Sequence, residues 1–259
     1  MIANKPRLSD KDVKKYYEDG FFCFNKPVLS YEKYLKLKSH FEGMLSSLNK
    51  DMRPESMDRP HIRDAALFEW LFADEILDLV EPILGPDIVL YSSHFICKPA
   101  KNGMRVPWHE DSSYWGSRLT PMEVVTVWLA MDDSNEKNGC MRVIPGTHQN
   151  GYSNYENVIE VDGPNVFSNE IVDRENFDRL NVPLILKENE ASLHDGKIIH
   201  GSDANSSQQR RCGFTMRYIS AQTKITEDDF ELYLARGNSH GKASYLEPGL
   251  TYKDHEKYW

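Results

Sequence analysis

The chain has 259 residues, 40% of them hydrophobic and 27% charged, the balance of a soluble globular protein long enough to bury a sizeable core. Its formal net charge of −9 argues against nucleic-acid binding, which wants a basic surplus, and weakly against an anionic membrane surface. The N-terminus lacks an apolar signal-peptide core, and no apolar run approaches the roughly 20 residues that span a bilayer, so a cytoplasmic protein is expected.

In chain order, "LSDKDVKKYYEDGFFCF" predicts a helix capped by Ser9, with Asp12 in the capping-box position, Gly20 as its stop and "FFCF" as a strand. "SYEKYLKLKSHFEGMLSSL" predicts a second helix capped by Ser30. Tyr34, Leu37, Phe41 and Leu45 form its apolar face, and Lys36 and Lys38 lie on the polar side. Residues 50–64 are polar, contain two prolines and read as a loop or lid. "AALFEWLFADEILDLVEPILG" returns to helix and stops at Gly85 and Pro86. From residue 87 the texture changes to short β-branched and aromatic runs separated by turn residues, which suggests a sandwich or jelly roll. The stretch from about 150 to 180 is long enough to be a functional insertion. Cys23, Cys97, Cys140 and Cys212 show no CxxC spacing and read as reduced, mostly buried residues rather than a zinc site.

The chemistry centres on "PWHED". His109 and Asp111 are two positions apart, which puts both side chains on one face of an extended segment. The best third ligand is His200 in "IIHGS". Two histidines and a carboxylate with open positions make the facial triad of non-haem Fe(II) oxygenases. Three protein ligands leave three of six octahedral positions, two for a bidentate co-substrate and one for O₂. Arg211, eleven positions after His200, can grip a distal carboxylate through two parallel hydrogen bonds. His194 is a rival ligand, but the Asp-Gly turn after it places it on a different strand from His200. His148 in "PGTH" has a cupin-like setting without the HxH partner. Arg105 and Arg142 are expected to be solvated. Arg217 shares the strand parity of Arg211, faces inward and needs an anion, with a protein carboxylate favoured over substrate.

His109-x-Asp111, His200 and Arg211, with "LSDKDVKKYYEDGFFCF", "NGCMRVIPGTHQ" and "HGSDANSSQQRR", resemble the phytanoyl-CoA dioxygenase family of Fe(II)/2-oxoglutarate oxygenases, over residues 8 to about 237. The resemblance implies one domain over 1–259: a mainly β protein with a double-stranded β-helix (jelly roll) core over about 87–220 and a mostly helical part, 1–86, packed on it. It implies Fe(II), 2-oxoglutarate and O₂ as cofactor and co-substrates. His109, Asp111 and His200 match the iron ligands, Arg211 the residue on the distal carboxylate, Ser202 an assisting hydroxyl and Trp128 the co-substrate wall. Ser92 departs from an amide in some members, and His94, on the same face, is the candidate to replace it. Ser112, Tyr114, Trp115 and Arg217 are candidate substrate contacts, while Trp108 reads as core or wall.

The expected activity is hydroxylation of a small polar metabolite with release of succinate and CO₂. Two rivals stand beside it: a cupin-like metal-dependent isomerase or hydrolase that ignores 2-oxoglutarate, and a non-catalytic ligand-binding jelly roll. Substrate identity and oligomeric state are not readable from the residues.

Overall fold

The computed structural model describes residues 7–150, 158–160, 165–171, 174–226 and 231–248. The first helix, Asp10–Asp19, begins at the expected capping box: Ser9 Oγ accepts from the Asp12 N–H, and the Asp12 carboxylate accepts from the Ser9 N–H. It ends at Gly20, whose φ of 83° lies in the left-handed region and whose N–H bonds Tyr16 O. A Cβ there would also come within 2.4 Å of His148 Nδ1, so Gly20 is required twice over. Strand Phe21–Phe24 and helix Tyr31–Ser46, capped by Ser30, follow as expected, with Tyr34, Leu37 and Phe41 buried.

Two readings of the helical half need correction. The single helix expected over 65–84 is broken into Phe68–Leu71 and Asp74–Leu84, with Ala73 extended between them. An unbroken period from Leu71 would carry Asp74 and Glu75 onto the buried face. The break rephases it, so that Ile76, Leu77 and Val80 go inward and the two acids occupy the new helix's first turn, where the dipole favours them. Residues 50–64 are not a free loop. They form 3₁₀ turns Pro54–Ser56 and Pro60–Ile62 around a two-residue strand, Met57–Asp58, with Glu55, Met57 and His61 buried.

Two antiparallel sheets form the β core. The larger runs in the order 21–24, 191–195, 124–130, 211–220, 88–98 and 233–236, with 57–58 paired on the 88–98 strand. The smaller runs 182–183, 142–143, 200–202 and 106–109. Period-2 alternation assigns the large sheet's two faces. Val125, Val127, Leu129, Leu193, Phe95, Cys97, Phe214 and Met216 pack against Tyr34, Leu37, Phe41, Trp70 and Ile76 of the helices in one core cluster. The opposite face carries Ser92, His94, Lys98, Thr126, Trp128, His194, Arg211, Thr215 and Arg217, in register across four neighbouring strands. One face of the sheet therefore supplies stability and the other a polar interior. This architecture is the jelly-roll, double-stranded β-helix class. All four cysteines carry free thiols, and among the described residues no helix is long and apolar enough to cross a membrane.

Candidate metal centre

His109 ends strand Val106–His109 and His200 begins strand His200–Ser202; the two are directly paired across the small sheet, with ring centroids 4.1 Å apart. Asp111 joins them by a different route from the one the HxD spacing suggested. The strand stops at His109, and Asp111 is helical (φ −57°, ψ −38°) at the head of the short helix Ser112–Trp115. That turn, rather than a pleat, brings Asp111 Oδ1 to 3.8 Å from His109 Nε2. One potential ligand atom from each of His109, Asp111 and His200 lies within 4.8 Å of the others, and all three residues are buried.

The tautomers follow from the backbone. His109 Nδ1 lies 2.8 Å from Pro107 O and His200 Nδ1 lies 3.0 Å from Ile198 O. A carbonyl can only accept, so each Nδ1 carries the proton and each Nε2 presents a lone pair to the space between the three residues. Burial, and then the neighbouring His200, push the His109 pKa down to about 3; burial likewise lowers that of His200. Both rings are therefore neutral and able to ligate near neutral pH. Burial is the largest influence and would raise the Asp111 pKa, but the charge and hydrogen bonding of Arg217, with the neighbouring His200 and His109, together outweigh it and hold the carboxyl below its usual range. Arg217 Nε donates to Oδ2 at 2.9 Å and Nη2 to Oδ1 at 3.2 Å, so this inward arginine has the protein partner that its parity called for. Two neutral imidazoles and one carboxylate form a donor set suited to Fe(II) with open positions.

A narrow cavity leads from His109 and His200 past Thr215, Trp128 and Ser202 to Arg211. Arg211 is 2% exposed. Its Nε and Nη2 donate to Gly139 O at 2.9 and 2.6 Å, and Nη2 also donates to Ser202 Oγ at 3.2 Å. The guanidinium lies over the Trp128 ring, 5.3 Å from its centroid. Burial brings its pKa down to about 10, which leaves it a cation at neutral pH, and no carboxylate among the described residues pairs with it. Gly213 makes room for this stack, because a Cβ there would fall 2.0 Å from Trp128 Cε2. The adjacent Arg210 points to the other face and pairs with Asp132 and Glu42.

Lys98 is a residue that sequence reasoning missed. It is fully buried as the cross-strand neighbour of Arg211, and Nζ donates to Ser202 Oγ at 2.7 Å and to the carbonyls of Ser202 and Asp203. Burial, then the nearby Arg211, pull its pKa well below the usual lysine range, while those three oxygens hold its N–H groups. Ser202 Oγ thus accepts from both Lys98 and Arg211. With both lone pairs used, its own O–H is left to donate. The far end of the cavity presents donors.

On the other side of the triad opens a second cavity of about 430 Å³, with Asp58, Ser92, His94, Tyr114, Trp115 and Phe167 in its wall. His94 is held by Glu55 O at 3.0 Å and faces Asp58 at 3.6 Å. Tyr114 is exposed and meets Phe167 at 5.5 Å, and Trp115 packs edge-on to Tyr91. Ser112 lines neither cavity: it is buried, its N–H bonds Gly196 O and its hydroxyl donates to Glu110. Trp108 belongs to a small core cluster with Ile144, Ile171 and Ile199. His194 lies on strand 191–195, as the turn signal predicted, with its ring 5.0 Å from that of His200, but it is not among the three converging residues that could hold a metal. His148 Nε2 bonds Tyr17 O. Arg105 is not solvated: it pairs with the buried Glu170, and Arg142 pairs with Asp203 at 2.7 Å.

A family model described as Phytanoyl-CoA dioxygenase (PhyH) matches residues 33–213. The chain is 25% identical over 237 residues to the Bos taurus protein named phytanoyl-CoA dioxygenase, peroxisomal, covering 81% of this chain and 68% of that one. It is 28% identical over 169 residues, 64% of this chain and 57% of the relative, to a protein of Stutzerimonas stutzeri named probable alpha-ketoglutarate-dependent hypophosphite dioxygenase. In structure it is similar to the apo form of the non-heme monooxygenase ThoJ, with a TM-score of 0.72, 22% identity and coverage of 92% of this chain and 88% of that one.

Proposed function

This chain belongs to the phytanoyl-CoA dioxygenase family and is a non-haem Fe(II)/2-oxoglutarate-dependent oxygenase, and from that premise we propose that His109, Asp111 and His200 hold the iron and Arg211 the distal carboxylate of 2-oxoglutarate. When bound, the iron and the keto acid supply the oxidising chemistry, in which O₂ is consumed, 2-oxoglutarate leaves as succinate and CO₂, and a substrate C–H bond is oxygenated. The protein's own part is positional. His109 and His200 offer Nε2 lone pairs that need no deprotonation. Arg211 Nη1 and the Ser202 hydroxyl point donors at a carboxylate, with Lys98 fixing the direction of that hydroxyl. Trp128 walls the chain of the keto acid. Phe167, Tyr114 and Trp115 flank the open side and limit water. No side chain has to act as a general base.

The observation that carries this reading is Arg211. A guanidinium 2% exposed, without a carboxylate partner among the described residues, shares one cavity with His109 and His200 and calls for an anionic ligand. A cupin-like isomerase or hydrolase that ignores 2-oxoglutarate would have no use for it, and turnover of 2-oxoglutarate separates the oxygenase from a passive binding module. The substrate we propose is a small polar metabolite, hydroxylated at carbon, in a single catalytic domain over 1–259 acting in the cytoplasm. The wall of the 430 Å³ cavity sets Glu55 and Asp58 against Arg59 and Arg118, a balance that suits a compact polar molecule better than the phosphates of an acyl-CoA. The test is a screen of candidate metabolites for stimulated succinate release with Fe(II), ascorbate and O₂. Stimulation by acyl-CoA esters alone would overturn the substrate class, and failure to bind 2-oxoglutarate in the presence of iron would overturn the assignment of Arg211.

A further inference from the structure

Arg217 stands apart from the other candidate residues because it touches the carboxylate of the triad itself. Three features fix its guanidinium. It is the last residue before a register shift in the pairing of strands 211–220 and 88–98, where Arg217 pairs with Ser92, Tyr218 pairs with Leu90 and Tyr91 is passed over. Such a bulge re-aims the side chain beside it. It also lies over the Trp115 ring, 5.7 Å from the centroid, and Trp115 is itself packed edge-on to Tyr91. Finally, two N–H groups address the two Asp111 oxygens unequally, Nε to Oδ2 at 2.9 Å and Nη2 to Oδ1 at 3.2 Å. The more tightly held oxygen is Oδ2, whereas Oδ1 is the one facing His109 Nε2 at 3.8 Å.

We propose that Arg217 is a positioning residue that restricts Asp111 to one-oxygen coordination. The proposal rests on the reading of His109, Asp111 and His200 as the iron triad. A carboxylate can give a cation one oxygen or two. With one, three octahedral positions stay open, two for the keto-acid end of 2-oxoglutarate and one for O₂. With two, the chelating co-substrate fills what is left and the O₂ position is gone. Arg217 holds Oδ2 with the shorter of its two charge-assisted hydrogen bonds, while Oδ1, which takes only the longer one and faces His109 Nε2, keeps a lone pair for the metal. It thereby keeps the site sparse without being a ligand.

The test uses the whole protein with Fe(II) and 2-oxoglutarate, free of O₂, and nitric oxide as the probe of the last open position. Wild type should show the visible charge-transfer band of the chelated keto acid and should bind nitric oxide, read by electron paramagnetic resonance. Arg217→Met should keep the metal and the band but bind nitric oxide at least about tenfold more weakly, a difference of roughly 1.4 kcal/mol. Arg217→Lys retains the cation without the fork; it should fall between the two and controls for charge and for folding. If Arg217→Met loses iron or the band, Arg217 merely props Asp111 in place, and the proposal fails. Unchanged nitric oxide affinity in a Met variant that keeps the band also overturns it. Wild type that forms no band would instead overturn the underlying triad reading.

Discussion

Replacing Arg211 with alanine removes a buried cation that lines the cavity beside His109 and His200 and has no carboxylate partner among the described residues. Of its five N–H groups, one from Nε and two from Nη2 account for the bonds to Gly139 O and Ser202 Oγ, which leaves the two on Nη1 without a hydrogen-bond partner among the described residues and available to a ligand. Hydrogen bonds to charged groups contribute about 1.5–3 kcal/mol. At about 1.4 kcal/mol per factor of ten, alanine should raise the dissociation constant for 2-oxoglutarate roughly tenfold to a hundredfold. Iron affinity should hold, because Arg211 touches none of His109, Asp111 and His200. Stability should fall too, since the buried Gly139 carbonyl loses both its donors, and an orphaned buried acceptor costs about 1–3 kcal/mol. Arg211→Lys separates these effects by restoring a cation without the fork.

The assay is anaerobic titration of 2-oxoglutarate into the Fe(II) protein, followed by the charge-transfer band, with chemical denaturation run in parallel. Arg210→Ala is the internal control. Arg210 pairs with Asp132 and Glu42 on the opposite face, so its loss should leave 2-oxoglutarate affinity unchanged. An Arg211→Ala protein with intact iron binding and wild-type 2-oxoglutarate affinity would refute the assignment. Equal weakening in both variants would mean that the assay reports general damage to the strand.

Three shorter predictions accompany it. His109→Ala or His200→Ala should abolish the charge-transfer band, because two ligands hold iron poorly; a variant that keeps wild-type iron affinity would remove that residue from the triad. Gly213→Ala should displace the Trp128 indole, which a Cβ would approach to 2.0 Å, at an overpacking cost of about 1–3 kcal/mol. The expected signature is weaker 2-oxoglutarate binding together with changed tryptophan fluorescence, while an unchanged binding constant would uncouple Trp128 from the co-substrate wall. Ser9→Ala breaks the first capping box far from the site and should cost about 1 kcal/mol of stability by denaturant titration, with 2-oxoglutarate turnover unaltered.

What the sequence made legible, and what it hid, divides along the range of the forces involved. Caps, stops and the apolar face of helix Tyr31–Ser46 are local, and they stand where spacing put them. The broken helix over 65–84 was also encoded locally, in the two acids that interrupt the apolar period, although a reading of composition alone merges the halves. Strand parity separated Arg211 and Arg217 from Arg210 correctly because the 211–220 strand is regular up to Arg217. Parity failed for Asp111, since it assumes that a strand continues, and this one stops at His109.

Lys98 was hidden for a different reason. A lysine closing the apolar run "HFICK" reads as one that escapes to solvent, and only the pairing of strands 88–98 and 211–220, distant in sequence, sets it beside Arg211 and beneath Ser202. The same pairing places Arg217 opposite Ser92, at the one point where the register slips. The triad is thus announced by short motifs, whereas the groups that orient it are specified by register between distant strands. A substitution that shifted this register by one residue would send every inward side chain of the strand to the helical core. The apolar face packed on the helices therefore fixes not only the stability of the large sheet but also the direction in which Arg211, Thr215 and Arg217 point.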